Sequence, residues 1–496
     1  MPNKINKNHI YMLWAISFLY ILPILITNSS YYDDIGRSVY GYFSWGIDGR
    51  PLSDAIFSTL DLGYPATDIA PFPQIMSVFL LSTLCYFIHL YLNPNHKFGW
   101  LIFTPIFLSP FFIQNLSFRF DSLTMSLSLI SAAIPLFFMR GKKTTLLFVS
   151  VISVLTSLCI YQASLSAFVA IVCLYVIFSI KNSCNSYEII KTSVITFIGM
   201  LIGYAIYLKI IIPVFLTSDY ATTYNHMISS ADDFTHNISL TLDVLGSFFT
   251  GYIAYIFLAI VTLSLLGLVK VIKNSYLSGK NKLDRAFRML IIALIIILMF
   301  LCIPGPGLAL KQMPLGPRVF IGFGFSISLL LSLISFISEK HQAKFNIIPC
   351  ILIAISFSYI GTFSNAVKSQ DRLTERVIDG VINDITKIGY GDVKTITIDG
   401  RLPYSPTAYK ATNKLPLLKS LVPSYFDGPL AWGVVKMVDL YAGKDQPAPQ
   451  RTTEIISDIC SMRLITDAGL YRTYYKEGDF VLSFSSYEES NCKIGK

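Results

Sequence analysis

Charge is what this chain has least of. Lys, Arg, Asp and Glu make up 14% of its 496 residues, while 53% are hydrophobic. A soluble domain of this length carries roughly 25% charge, so the composition excludes an ordinary soluble protein and calls for a bilayer. The formal net charge of +9 does not indicate nucleic acid, because most Lys and Arg residues are scattered beside apolar segments rather than gathered on one surface. The eight cysteines form no Cys-x-x-Cys pair and no Cys/His cluster, which argues against a tightly held transition metal. The first apolar run, residues 9–28, has spanning length and no small-residue cleavage site, so it reads as a first helix and not as a signal peptide.

A spanning helix needs about 20 mainly apolar residues. That ruler picks out eleven segments, 9–28, 71–92, 98–116, 122–140, 144–161, 163–181, 192–216, 241–270, 288–304, 318–338 and 345–366. The segment at 98–116 is interrupted by Pro105 and Pro110, and the two around Tyr161-Gln162 read equally as one bent helix. Basic residues alternate between the connecting loops. Lys7, Lys97, Arg140, Lys142, Lys143, Lys181, Lys191 and the run from Lys270 to Arg288 fall on one side. The opposite loops hold Asp33, Asp34, Asp48, Asp54, Asp61, Asp68, Asp219, Asp232 and Asp233. The positive-inside bias then places the N-terminus in the cytoplasm and the residues after 366 outside.

Those residues, 367–496, are mixed and charged, and numerous enough for a small folded domain. Leu373, Val377, Val381, Ile385 and Ile388 recur at helical spacing up to Gly389. Residues 394–398 read as a strand ending at Asp399-Gly400, and 471–475 with 480–484 read as a hairpin around Lys476-Glu477-Gly478-Asp479. The predicted fold is an α-helical polytopic membrane protein of about eleven spans, residues 1–366, carrying a small outside α/β domain. Cys460 and Cys492 are the two cysteines of that domain, and in an oxidising compartment they invite a disulfide.

The first outside loop, 29–70, is too long for a simple turn. Ile35, Val39, Tyr42 and Phe43 recur at helical spacing, and Leu52, Ile56, Thr59 and Gly63 do so more weakly, which predicts two short helices in the interface plane. Asp33 and Asp34 open the loop. Adjacent like charges and partial desolvation raise a carboxyl's proton affinity, which suits a general base. Arg37, four residues after Asp33, would on a helix pair with it. The bland alternative makes Asp33 a helix N-cap and Asp34 a partner of the helix dipole. Arg119 and Asp121 sit in a short link between apolar helices, where ionisable residues are paired or functional; mutual pairing is their bland reading. Lys311 and Arg318 bracket a Pro/Gly-rich loop that begins at Pro304 and reads as a gate or as a rigid turn. Tyr31, Tyr32, Tyr42 and Trp45 suit stacking on a sugar or packing at the membrane interface.

The stretch Tyr31-Tyr32-Asp33-Asp34-Ile35-Gly36-Arg37, followed by Gly49-Arg50-Pro51-Leu52 and by Asn115 to Ser122, resembles the serotype-converting O-antigen glucosyltransferases. These are integral-membrane enzymes of the GT-C class. The resemblance covers roughly residues 10–366, and the outside domain shows no diagnostic motif. It implies an inverting transfer of glucose from undecaprenyl-phosphate glucose to a hydroxyl of lipid-linked O-antigen on the periplasmic face of a bacterial inner membrane. It also implies a functional link to a donor-lipid synthase and a flippase, with the catalytic role falling on Asp33 or Asp34, Asp34 slightly preferred. Such a transfer needs one base and no acid, because the lipid phosphate leaves already ionised. It further needs positive charge where phosphate charge develops, for which Arg119, Lys311, Arg318 and Arg37 are candidates. No cofactor is called for, and dependence on a divalent cation stays open. The rival readings are a lipid-linked sugar transporter and an O-antigen polymerase; the absence of an internal repeat argues against the first.

Overall fold

A computed structural model of the chain describes residues 5–93, 95–219, 222, 226–279, 281–338, 342–389, 391–427, 432–440, 448–449 and 459–485. Each of the eleven predicted spans contains helix. Among the described residues, seven helices are long and apolar enough to cross a membrane: Lys7–Thr27, Phe72–Leu92, Lys143–Ile160, Gln162–Lys181, Ser186–Phe215, Gly251–Ser278 and Ile347–Ile388. Counting the bent pair Gly99–Leu108 and Pro110–Ser117 as one span makes eight.

The shortfall from eleven has local causes. Pro105 and Pro110 each begin a new helical turn, and the pair is bent by 42°. Ser122–Phe138 and Gly322–Ser335 are apolar but short, and Lys282–Leu301 opens on Lys282, Asp284, Arg285 and Arg288. The predicted span 241–270 is divided. Ala231–Phe248 ends at Phe249, and a new helix starts at Gly251, whose φ of +52° a side chain would disfavour. At Tyr161 the backbone is extended, φ −155° and ψ 109°, so the segments on either side are two helices and not one bent one.

The last helix departs most from expectation. The apolar span at 345–366 and the amphipathic stripe at 373–388 are a single helix of 42 residues, Ile347–Ile388. Neither Gly nor Pro stands between residues 362 and 379 to stop it, and it ends where predicted, at Gly389, φ +120°.

By packing, the chain forms two compact units: residues up to 26, 43–63 and 69–361 in the first, and 27–42, 64–68 and those from 362 onward in the second. The second unit thus takes in the start of the first loop, which a division at residue 366 leaves with the membrane part. Its core sets Val377, Val381 and Ile385 of the long helix against Ile396, Ile398, Phe480 and Leu482 of a sheet. The strands are β1 Thr395–Asp399, β2 Ala448–Pro449, β3 Arg463–Asp467, β4 Arg472–Lys476 and β5 Asp479–Ser483, in the order β2-β1-β5-β4-β3. β1 runs parallel to β2 and β5, while β3, β4 and β5 form an antiparallel meander. The predicted hairpin is β4–β5. Its turn, Glu477-Gly478, holds both residues at positive φ, 48° and 103°, the requirement of a two-residue turn of matching twist. Asp384, buried on the helix, accepts from Thr466 Oγ1 at 2.8 Å and Thr473 Oγ1 at 2.7 Å, which ties the helix to β3 and β4.

In the first unit, helices approach through glycines, as membrane helices do. A Cβ at Gly322 would lie 1.8 Å from the Cys302 carbonyl oxygen, and one at Gly267 1.9 Å from that of Leu333. Gly322→Ala is therefore expected to destabilise the detergent-solubilised protein by about 1–3 kcal/mol. Gly246→Ala, at a helical site with nothing within 4 Å, should be neutral or stabilising. Thermal melts of the two variants test this.

Candidate active site

The predicted site residues fall in different packing units. Tyr31, Tyr32, Asp33, Asp34 and Arg37 belong to the second, and Arg119, Asp121, Lys311 and Arg318 to the first.

In the second unit, helix Asp33–Tyr40 starts at the two aspartates. The residue before it, Tyr32, has φ 49° and ψ −106° and supplies no side-chain cap. Asp33 is accordingly the first helical residue and not the N-cap. Asp34 Oδ2 accepts from the Tyr31 backbone N–H at 3.1 Å, while the Asp34 and Ile35 N–H groups donate to the Tyr31 and Tyr32 carbonyls at 3.2 and 2.9 Å. Asp34 is fully buried and Asp33 partly exposed. Arg37 is buried too, and its guanidinium carbon lies 5.8 Å from the Tyr42 ring centroid. Among the described residues no ion pair joins Arg37 to Asp33, contrary to the expectation from their spacing. Two glycines shape this segment. A Cβ at Gly36 would meet the Tyr42 hydroxyl at 2.5 Å, and Gly41 ends the helix at φ +67°.

The turn is held by residues far along the chain. The Tyr31 hydroxyl donates to the Leu421 carbonyl at 2.5 Å, and the Tyr425 hydroxyl donates to the Ser30 carbonyl at 2.6 Å. The Tyr32 ring packs edge-on against Tyr31 at 4.8 Å and Tyr425 at 5.9 Å. Burial, and secondarily the Asp371 carboxylate, push the Tyr425 phenol well above its ordinary range, so it remains a donor. Tyr31 and Tyr32 therefore pack within the protein. Cys460, also in this unit, is disulfide-bonded, and Cys492 lies outside the described residues.

In the first unit, Asp121 is buried and accepts from the Trp45 indole N–H at 2.5 Å. Trp45 itself packs on Phe57 at 5.3 Å, which packs on Phe120 at 5.2 Å. Arg119, two residues away from Asp121, is half-buried, and Lys311 is exposed. Arg318 lies 4.9 Å over Phe118. Its backbone joins two of the sequence motifs: the Arg318 N–H donates to Gln114 Oε1 at 2.8 Å, and its carbonyl accepts from Asn115 Nδ2 at 3.2 Å and Tyr161 Oη at 3.3 Å. The Pro/Gly-rich loop is further fixed where Asn237 Nδ2 donates to the Leu308 and Leu310 carbonyls at 3.1 and 2.8 Å. Of the two readings of that loop, these contacts suit the rigid turn.

Two groups in this unit escaped the sequence reading. Asp54, read from the sequence as one of the outside-loop acids, accepts from the Trp45 and Gly46 backbone N–H groups at 2.9 and 2.6 Å. Arg50 donates from Nε to Gln162 Oε1 at 2.8 Å and lies 5.1 Å from the Tyr161 ring centroid. The available signals were Gly49-Arg50-Pro51, a turn entering a helix, and the polar break at Tyr161-Gln162. Among the described residues no group of three or more His, Cys, Asp or Glu is arranged to hold a metal ion.

A largely helical chain with several membrane-length apolar helices has the make-up of a membrane protein. Residues 22–329 match the glucosyl transferase GtrII family, and the chain belongs to that family. It is thereby a glycosyltransferase, and the matched region includes the acidic turn, Arg50, Arg119, Asp121, Lys311 and Arg318. It is also similar to a protein of Salmonella phage P22 described as an uncharacterized 55.3 kDa protein in gtrB 5'region. The two are 29% identical over 449 residues, 88% of this chain and 91% of that protein. No solved structure matches the chain.

Trp45→Phe keeps the aromatic packing but leaves the buried Asp121 carboxylate without the indole donor. It is expected to cost about 1–3 kcal/mol, read as a lowered melting temperature, while Tyr40→Phe at an exposed position should leave the melt unchanged.

Proposed function

We propose that the chain transfers glucose from undecaprenyl-phosphate glucose to a hydroxyl of lipid-linked O-antigen, with inversion, on the periplasmic face of a bacterial inner membrane, as a step of serotype modification. The observation that carries the reading is a carboxylate pair at the start of a helix, six residues beyond the end of the first membrane-length helix at Thr27, in a chain of the glucosyl transferase family. The name of the phage relative, which places it beside gtrB, supports the same setting. A synthase that charges the lipid phosphate with glucose and a flippase that carries it across are the reactions that must precede this one.

Asp33 is the base in this reading. It is the more accessible of the pair, whereas Asp34 is buried and engaged with the backbone of its own turn. Asp33 takes the proton of the acceptor hydroxyl as that oxygen bonds to the sugar's anomeric carbon. The bond from that carbon to the phosphate oxygen breaks on the opposite face, and undecaprenyl phosphate leaves as an anion. No proton need be delivered to it. Arg119, Lys311, Arg318 and Arg37 are the cations assigned to the developing phosphate charge. Asp34 keeps the turn in shape.

Purified protein supplied with undecaprenyl-phosphate glucose and a lipid-linked acceptor is expected to form a glucosylated product of inverted anomeric configuration. Asp33→Asn should lower the rate roughly 100-fold or more at an unchanged melting temperature, whereas Asp34→Ala should also lose about 1 kcal/mol of stability with its bond to the Tyr31 N–H. Full transfer by Asp33→Asn contradicts the assignment of the base. Wild-type protein that forms no product but carries the donor lipid across a vesicle wall is a transporter.

A further inference from the structure

Arg50 is a cation held by its side and left open at its tip. Its Nε–H donates to Gln162 Oε1 at 2.8 Å, and its guanidinium carbon stands 5.1 Å from the Tyr161 ring centroid. Nη1 and Nη2 donate to no described residue, and no described carboxylate pairs with the group. Half-buried guanidinium charge without a counter-ion is costly, and a structure that keeps it has something for it to bind.

The supports are themselves fixed. Gln162 uses its amide nitrogen to donate to the Asp48 carbonyl at 3.0 Å and to the Tyr207 hydroxyl at 3.0 Å, so its oxygen is the atom left for Arg50. Tyr207 passes its own proton to the Gly49 carbonyl at 3.1 Å. Gly49 sits at φ +79°, and a Cβ there would lie 2.8 Å from the Tyr207 hydroxyl oxygen. The residue before Arg50 therefore has to be glycine, and the next, Pro51, begins a helix. Backbone and side chain are both set before any ligand arrives. The Tyr161 hydroxyl meanwhile donates to the Arg318 carbonyl at 3.3 Å, so the same tyrosine anchors the segment that carries a second cation.

A planar fork with two parallel N–H donors matches an oxyanion that offers two oxygens, as a phosphate does. We propose that Arg50 receives the phosphate of the lipid-carried sugar donor, Nη1 and Nη2 each donating to a non-bridging oxygen, with Gln162 and Tyr161 as its positioning residues. The proposal rests on the reading of function given above. It assigns the phosphate a residue outside the cations named there.

The test is equilibrium binding of undecaprenyl phosphate, without sugar, to the full-length protein in nanodiscs, with phosphatidylglycerol as the competing phosphate source. Arg50→Gln is expected to weaken undecaprenyl phosphate binding roughly 10- to 100-fold, the worth of charge-assisted hydrogen bonds. Arg50→Lys, which keeps the charge but not the fork, should show a smaller loss, and Arg140→Gln none. Phosphatidylglycerol should compete weakly. A dissociation constant within twofold of wild type for Arg50→Gln, or for Arg50→Lys, overturns the proposal, as does phosphatidylglycerol competing on equal terms through Arg50. Asp33→Asn separates this from the functional reading, because it should bind the lipid like wild type while failing in transfer. Wild-type protein that binds through Arg50 but forms no glucosylated product sustains the site and defeats the reading of function; a folded Arg50→Gln variant with full transfer does the reverse.

Discussion

The acidic turn at residues 31–34 is held from the far end of the chain. A helix of eight residues has little stability of its own, and this one starts behind Tyr32, whose positive φ is unfavourable for a bulky residue. What keeps it is the exchange of two tyrosine hydroxyl bonds, Tyr31 to Leu421 and Tyr425 to Ser30, between segments almost 400 residues apart in sequence. The segment that receives them is built on the long helix and the five-stranded sheet. The residues after 362 are thus part of what shapes the proposed base, which gives them a role that no motif within them announces.

A second constraint acts in the first unit. Where apolar helices break, freed backbone groups and ionisable side chains must find partners, because lipid offers none. The breaks are where polar residues gather. Asp121, at the start of Ser122–Ala133, takes the Trp45 indole; Asp54 takes two backbone donors; and the extended Tyr161 with Gln162 organises Arg50, Tyr207 and the 48–50 backbone. Enzyme chemistry on a membrane substrate needs such groups, and the breaks place them without placing charge in the middle of a span.

What the sequence revealed was local. Apolar length located helix in every predicted span, the stripe from Leu373 to Ile388 predicted a helix ending at Gly389, and Glu477-Gly478 marked the hairpin. Of the eleven segments read as spans, seven helices, or eight with the bent pair at Pro105 and Pro110, have membrane length among the described residues, because Ser122–Phe138 and Gly322–Ser335 are short and Lys282–Leu301 opens on charge. The sequence reading missed that the last span and the amphipathic helix are continuous, because the change in composition near residue 366 carries no stop signal. In the site, the family motifs drew attention to Asp33 and Asp34, but their unequal burial arises from packing that spacing does not encode. Arg50 and Gln162 are 112 positions apart, and neither looks unusual until the fold brings them together. The pairing expected of Asp33 and Arg37 is not formed among the described residues, and the Arg37 guanidinium lies near the Tyr42 ring.

The proposed function requires the acidic turn and the residues after 362 to share one side of the membrane, the outer one. Side-specific labelling reads this directly. With the six free cysteines replaced and Cys460 and Cys492 kept, single cysteines are placed at exposed Ser38, Lys410 and Lys142 and challenged with a membrane-impermeant maleimide on intact spheroplasts. Labelling of Ser38→Cys and Lys410→Cys from outside, with Lys142→Cys reacting only after the membrane is opened, is the predicted result. Protection of Ser38→Cys in intact cells, or labelling of Ser38→Cys and Lys410→Cys from opposite sides, contradicts it.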